Sequence, residues 1–181
     1  MNNAPPRRGI FFYANLIRIN MFWALLILIG ILLLISVYKG APPVPTSREE
    51  LTKLAALEET KDTKKFADLG SGDGRAVIAF ARAGAEAHGY EINPLLVLVS
   101  RNKIKKAGIA KKAHIHWSSF WQKDLSEYDT VFVFGVSRIM ADLAQKLEKE
   151  LKPGSVVLSN LFPIPGWESR RKVGKVRLYI K

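Results

Sequence analysis

The sequence predicts an α/β domain on a mainly parallel sheet, preceded by one membrane-spanning helix. Three observations carry that expectation. An apolar run near the N terminus holds no charge, strand-like and helix-like segments alternate from Lys65 onward, and a glycine-rich loop joins the first such strand to the first such helix. Repeated β-α alternation implies parallel strands with helices on both faces of the sheet. Ligands in such sheets bind beyond the carboxyl ends of the strands, where strand order reverses.

The apolar run comes first in the chain. Between Arg18 and Lys39 lie 20 residues without a charge, Ile19 to Tyr38. At a helical rise of about 1.5 Å per residue they reach roughly 30 Å, the thickness of a bilayer core. Apolar residues fall on every side of the run, unlike a surface helix with one wet face. Trp23 and Tyr38 stand near its ends, where amphipathic rings favour the interface. A cleaved signal peptide is the rival reading. Its apolar region usually spans about 7–15 residues and ends in a small-x-small site. Ser36-Val37-Tyr38 lacks that site, and Gly40-Ala41 comes nearer to it. The longer run favours an uncleaved single-pass anchor. Arg7, Arg8 and Arg18 before it balance Lys39, Arg48 and Lys53 after it, so flanking charge leaves the orientation undecided. The expected organisation is a segment 1–39 with its helix at 19–38, a proline-rich linker 40–47, and a folded domain 48–181.

Gly40-Ala41-Pro42-Pro43-Val44-Pro45 is stiff and stops the helix. Thr46 or Ser47 then caps a new helix, with Glu49 or Glu50 completing a capping box. Strands are expected near Lys65–Asp68, Ala87–Glu91, Ala113–Trp117, Thr130–Phe134 and Ser155–Leu161, with Lys175–Ile180 as a sixth. Helices are expected over Arg75–Ala83, Pro94–Ala107 and Ile139–Leu151, punctuated by Gly84, Gly108 and Pro153-Gly154. The tail after Trp167 is short and basic, which leaves out the last strand of a full sheet.

Composition narrows the chemistry. The 181 residues include no cysteine, which excludes a disulfide scaffold, a thiolate zinc site and a cysteine nucleophile. His114 and His116 project to one face of their strand, but no third ligand stands nearby, so no metal is expected. Net charge is +12, of which Arg7, Arg8 and Arg18 supply three. Basic residues cluster in Arg101–Lys112 and Arg170–Lys181, a surface for anionic lipid, nucleic acid or an acidic protein, or simply a solvated face.

The strongest signal is Asp68-Leu69-Gly70-Ser71-Gly72-Asp73-Gly74-Arg75. Alternate glycines let the backbone turn sharply and approach a ligand. The dinucleotide fingerprint puts its third glycine three residues after the second. Here Gly74 follows Gly72 by two, and Arg75 occupies the dinucleotide position. The Asp-x-Gly-x-Gly-x-Gly form resembles the first motif of class I (Rossmann-like) methyltransferases, which use S-adenosylmethionine (SAM). SAM has no pyrophosphate, and its ammonium and sulfonium favour acids such as Asp68 and Asp73. Glu91 ends the second strand, where an acid accepts hydrogen bonds from both ribose hydroxyls.

Nucleic-acid methylation is the weaker branch. The fourth strand ends Val133-Phe134-Gly135-Val136-Ser137, without the Asn/Asp-Pro-Pro-aromatic motif of DNA amino-methylases. The C5-pyrimidine mechanism needs a cysteine. A wider set of motifs points elsewhere: Pro43-Val44-Pro45-Thr46-Ser47, the glycine loop, Gly89-Tyr90-Glu91-Ile92-Asn93-Pro94, Val131-Phe132-Val133-Phe134-Gly135 with Met140, and Phe162-Pro163-Ile164-Pro165-Gly166-Trp167. This set resembles the membrane-anchored protein-lysine methyltransferases of mitochondria, which act on the c-subunit of ATP synthase and on the adenine nucleotide translocase, and their prokaryotic relatives. The resemblance implies a SAM site at Asp68, Gly70, Ser71, Gly72, Asp73, Gly74, Glu91, Asn93, Ser119 and Phe120. Ser119 stands where the family often has an acid near the adenine amino group. Thr46, Asn160 and Phe162 are the candidates to line an acceptor channel, Asn160 by orienting an amine or merely by capping a turn. No residue stands out as a general base. The implied acceptor is a lysine of a membrane protein, with the domain on the cytoplasmic side in a bacterium, where SAM is. The rival classes are a small-molecule or lipid methyltransferase and a SAM-binding regulator without turnover.

Overall fold

The computed structural model describes residues 20–28, 30, 46–135 and 137–181, and the chain divides after Pro43 into two units. In the first unit residues 20–28 and 30 are helical. Among the described residues no helix is long and apolar enough to cross a membrane. Much of the span expected at 19–38, and most of the linker expected at 40–47, lie outside the described residues.

The second unit runs α1 (Arg48–Ala55), β1 (Lys65–Leu69), α2 (Arg75–Arg82), β2 (Glu86–Glu91), α3 (Pro94–Lys106), β3 (Ala113–Trp117), β4 (Thr130–Phe134), α4 (Ser137–Glu150), β5 (Val156–Asn160), β6 (Arg171–Val173) and β7 (Val176–Ile180). One sheet holds all seven strands in the order β3-β2-β1-β4-β5-β7-β6. β1 to β5 are parallel, and β7 pairs antiparallel with both β5 and β6. Strand order reverses between β1 and β4, so the ligand edge lies at the carboxyl ends of those two strands.

Every residue of β5 is buried, as strands covered on both faces require. On one face α1, α2 and α3 bring Leu51, Leu54, Val77, Phe80, Val97 and Ile104 against Phe66, Ile115, Phe132 and Leu158. The Phe66 and Phe80 rings stack with centroids 3.9 Å apart. On the other face α4 brings Leu143 and Leu147 against Ala67, Val131, Val133 and Val157, with Leu125, Tyr128 and Ile164 from the loops. Ser47 caps α1, its Oγ accepting from Glu50 N at 3.1 Å. The other half of the expected box is not used, because the Glu50 carboxylate accepts from Lys175 N at 3.2 Å.

The expectation of a missing last strand is overturned. Arg171–Val173 pairs with β7 and completes a seven-stranded sheet. Its sequence, Arg-Lys-Val, carries almost no apolar signal because it is a short edge strand with exposed side chains. Long-range partners hold it instead: Arg170 N donates to Leu178 O at 2.9 Å, and Arg171 pairs with Glu59 at 3.4 Å.

Tyr179 is buried on β7, and its hydroxyl accepts from Ile164 N at 3.2 Å. Tyr179→Phe leaves that amide without an acceptor. The loss should cost about 1–3 kcal/mol, measured by chemical denaturation. An unchanged midpoint would show that the Ile164 amide finds another acceptor.

Candidate active site

β1 ends at Leu69, and the chain must leave the sheet there. Gly70 N and Ser71 N both donate to Tyr90 O at 3.0 Å. The loop then needs left-handed backbone at Gly70, Gly72 and Gly74, with φ of 103°, 52° and 79°. Gly74 carries a second constraint, since a Cβ there would stand 2.8 Å from Ser100 Cβ on α3. A Cβ at Gly72 would meet nothing within 4 Å, so the space above the loop is open.

Glu91 closes the loop from β2. Its Oε2 accepts from Gly72 N at 2.9 Å and its Oε1 from Asn93 N at 2.8 Å. Each oxygen keeps acceptor capacity for a ligand hydroxyl. Asn93 caps α3 through Oδ1, which accepts from Leu95 N at 3.0 Å, with Pro94 as first helical residue.

The two acids of the loop differ sharply. Asp73 accepts from Arg75 Nε and Nη2, both at 2.8 Å, and from Lys103 Nζ at 2.6 Å. The Arg75 bonds, then Lys103, hold its carboxyl well below the usual carboxylate range. Its charge is neutralised within the chain. Asp68 is 3% exposed, and burial, then the Glu91 and Asp73 carboxylates, push its carboxyl well above the usual range. A ligand cation is the partner that would favour its ionised form.

Three buried side-chain polar atoms among the described residues have no hydrogen-bond partner: Ser71 Oγ, Ser118 Oγ and Asn160 Oδ1. They follow β1, follow β3 and end β5, so all three stand at the ligand edge. A buried polar group left unpaired costs about 1–3 kcal/mol. Together with the open space at Gly72 and the unpaired Asp68, Ser71 and Ser118 fit a polar, cationic ligand such as SAM, while Asn160 stands beside Thr46 at the end of β5.

Ser119 has a local role, its Oγ accepting from Trp121 N at 3.4 Å at the head of the turn Phe120–Gln122. Phe120 is half-buried, its ring 4.7 Å from that of Trp121. The unpartnered hydroxyl belongs to Ser118, one residue earlier.

The acceptor candidates come together. Asn160 Nδ2 donates to Thr46 Oγ1 at 2.6 Å. Arg75 Nη1, already bound to Asp73 through its other nitrogens, donates to Thr46 O at 3.1 Å. The Asn160 side chain therefore reaches across the fold instead of capping a turn. Thr46 and Asn160 line a groove of about 530 Å³ with Glu49, Glu50 and Lys175. Beyond Asn160 the chain turns through Leu161, whose φ of 66° is the one positive value at a non-glycine among the described residues. Leu161 N donates to Lys175 O at 3.0 Å, and Arg177 Nη1 donates to Leu161 O at 2.6 Å. Phe162 then lies edge-on to Phe134, centroids 6.5 Å apart.

Sequence reasoning missed Arg75, Lys103 and Ser118, and also Gly89, where a Cβ would stand 2.6 Å from Ser71 Cβ. Gly89 opens one of the quoted motifs, and Arg75 ends another. Lys103 and Ser118 carried no signal. His116 Nε2 lies 3.0 Å from His88 Nδ1, and among the described residues no group of three side chains could hold a metal ion.

Comparison with known proteins agrees with this geometry. Residues 68–171 match the family described as the ANTKMT methyltransferase domain. The chain is 39% identical over 135 residues to the ATP synthase c-subunit lysine N-methyltransferase of Rattus norvegicus, covering 74% of this chain and 62% of that one. It therefore spans less than two thirds of that relative. A protein-lysine N-methyltransferase of Saccharolobus islandicus is 34% identical, covering 73% of this chain and 83% of that one. The crystal structure of an RNA methyltransferase from Salinibacter ruber in complex with S-adenosyl-L-homocysteine superposes with a TM-score of 0.68 at 33% identity, covering 76% of this chain and 93% of that one.

Asp68→Asn should move stability and binding in opposite directions. The folded pKa of Asp68 is raised above its unfolded value. The folded state then binds the extra proton, and the cofactor-free chain loses stability as pH rises from about 4 through the folded pKa. SAM favours the ionised form, so its affinity rises with pH over that window as a proton is released. Asp68→Asn should raise the cofactor-free melting temperature at pH 7, weaken SAM binding and flatten this pH dependence. Calorimetry in buffers of different ionisation enthalpy reads the proton release directly. Glu91→Ala should weaken SAM binding by about 1–3 kcal/mol. Undiminished affinity in Gly72→Val would place the site elsewhere.

Proposed function

Because the chain belongs to the ANTKMT methyltransferase domain family of SAM-dependent protein-lysine methyltransferases, we propose that it methylates a lysine of a membrane-associated protein. The observation that carries the acceptor assignment is Asn160 Oδ1, buried and without a partner beside Thr46. When bound, SAM supplies a methyl group on an already positive sulfur. The chain's own task is to hold a neutral amine in line with it and to keep water away. Asn160 Oδ1 accepts one amine N–H, which fixes where the nitrogen lone pair points. Thr46 Oγ1 already accepts from Asn160 and keeps its own proton to donate. No side chain is needed as a dedicated base if lysine enters deprotonated.

The membrane association rests on the sequence. The charge-free run at residues 19–38 supplies a single-pass anchor, and the linker at 40–47 keeps the domain close to the headgroups. Such tethering raises the effective concentration for membrane-bound targets. The need for SAM favours the cytoplasmic side in a bacterium. A lysine at the bilayer surface of a small integral membrane protein fits these constraints.

Membranes incubated with the full chain and methyl-labelled SAM should yield label on a lysine, identified by mass spectrometry. Label confined to lipid, small molecules or RNA would overturn the reading, and absence of turnover would leave a SAM-binding regulator. Asn160→Leu should abolish transfer while leaving SAM affinity unchanged. A chain starting at Thr46 should lose methylation of the native target more than methylation of a soluble peptide copy. Equal loss on both would remove the case for the anchor.

A further inference from the structure

The outward side of α3 is apolar where such helices are usually wet. Leu95, Leu98 and Val99 are 45%, 64% and 44% exposed. Their spacing places them on one stripe, which continues through Asn102 to Lys105 and Lys106. The opposite side of α3, with Val97, Ser100 and Ile104, is buried in the sheet core. Trp117 ends the neighbouring edge strand and is 67% exposed. Its indole N–H donates to Ile92 O at 3.1 Å, which leaves the ring outward with its polar atom satisfied. β3 pairs Trp117 with Glu91, so the apolar end of the stripe adjoins the cofactor edge. Lys105, Lys106 and Lys111 cluster at the other end, and among the described residues none of them forms an ion pair.

We infer that this face, Leu95, Leu98, Val99 and Trp117 with Lys105 and Lys106, docks on the surface of an anionic bilayer. Trp and Leu dip into the boundary between headgroups and acyl chains, and lysines pair with lipid phosphates. α3 spans about 20 Å from its apolar to its basic end. Shallow insertion of the apolar end therefore tips the cofactor edge toward the membrane and keeps the lysines at phosphate level. A second copy of the chain fits worse than an anionic surface, because each copy carries the same net charge of +12. The contact is separate from the charge-free run at 19–38, and its use in catalysis rests on the membrane-bound acceptor proposed above.

The native chain has no cysteine, so a single introduced one takes a unique fluorophore. The full chain carrying Leu98→Cys, Trp117→Cys or Lys149→Cys is reconstituted into phosphatidylglycerol vesicles that contain a lipid with a nitroxide at shallow depth. Lys149 is exposed at the far end of α4, on the other face of the sheet. Labels at 98 and 117 should be quenched well beyond the label at 149, and less so in phosphatidylcholine. Each lysine near an anionic surface is worth about fivefold in residence there, so K105Q with K106Q should remove most of the difference. Equal quenching at 98 and 149 would overturn the proposal. So would self-quenching of the label at 98 in detergent, which marks a second copy. Leu98→Asp should lower methylation of a membrane-embedded target and spare that of a soluble peptide. If no lysine is methylated at all, the acceptor reading fails while the quenching still decides the docking face.

Discussion

The Glu91 carboxylate is the contact on which the cofactor edge depends. Its two oxygens take the amide of Gly72 from one side and the amide of Asn93 from the other. One acid thereby fixes the apex of the glycine loop and the first turn of α3. The loop has a backbone bond of its own, Gly74 N to Ser71 O at 2.8 Å, but its glycines carry no side chains to add more. Its other anchors are the Tyr90 carbonyl, one residue before Glu91, and the close seat of Ser71 on Gly89. These anchors come from β2, and Asp73 adds ties to Arg75 on α2 and Lys103 on α3, so strand and helices together set the geometry of the loop.

Asp68 and Asp73 show how five residues can place one kind of side chain in opposed states. Asp73 lies within reach of Arg75 and Lys103 and serves as structural cement between the loop, α2 and α3. Among the described residues Asp68 has no cationic partner, and it is pressed by two neighbouring carboxylates. A buried acid of that kind destabilises the empty fold, which is sensible only where a ligand brings the missing charge. Ser71, Ser118 and Asn160 repeat the pattern with neutral groups at the same edge. Binding sites commonly carry such local costs, offset by packing elsewhere, and here the two apolar cores on either side of the sheet supply it.

Much of this was legible in the sequence because parallel sheets announce themselves. Buried strands such as Thr130–Phe134 read as short apolar runs, and Gly84, Gly108 and Gly154 mark where helices or loops end. The glycine loop was legible as the turn out of β1, and Glu91 as the end of β2, because left-handed backbone tolerates few residues besides glycine. β6 was not legible, since an exposed three-residue edge strand needs no apolar pattern. The ion pairs of Asp73 were not legible, because composition cannot tell which of several nearby cations it will meet. Lys103 lies on α3, thirty positions away, and only the turn of the fold brings it to 2.6 Å. The unpartnered hydroxyl of Ser118 was not legible, because a single register at the end of β3 decides which hydroxyl is buried.

Thr46 shows how a residue beside a linker can be tied into the fold. Thr46 directly follows the proline-rich stretch, yet two distant parts of the domain grip it. Arg75 takes its carbonyl, and Asn160 takes its hydroxyl. Arg75 is in turn locked to Asp73 in the cofactor loop. Asn160 sits at the head of the left-handed turn at Leu161, which cross-strand bonds from Lys175 and Arg177 enforce. Strain of this kind persists only where the surroundings over-determine it. The tail strands thus do more than finish the sheet, since they hold the turn that aims Asn160 at Thr46. A displacement of Thr46 would break bonds to both Arg75, which is locked to the glycine loop, and Asn160 of β5, so the position of Thr46 and the shape of the groove it lines are mechanically one quantity.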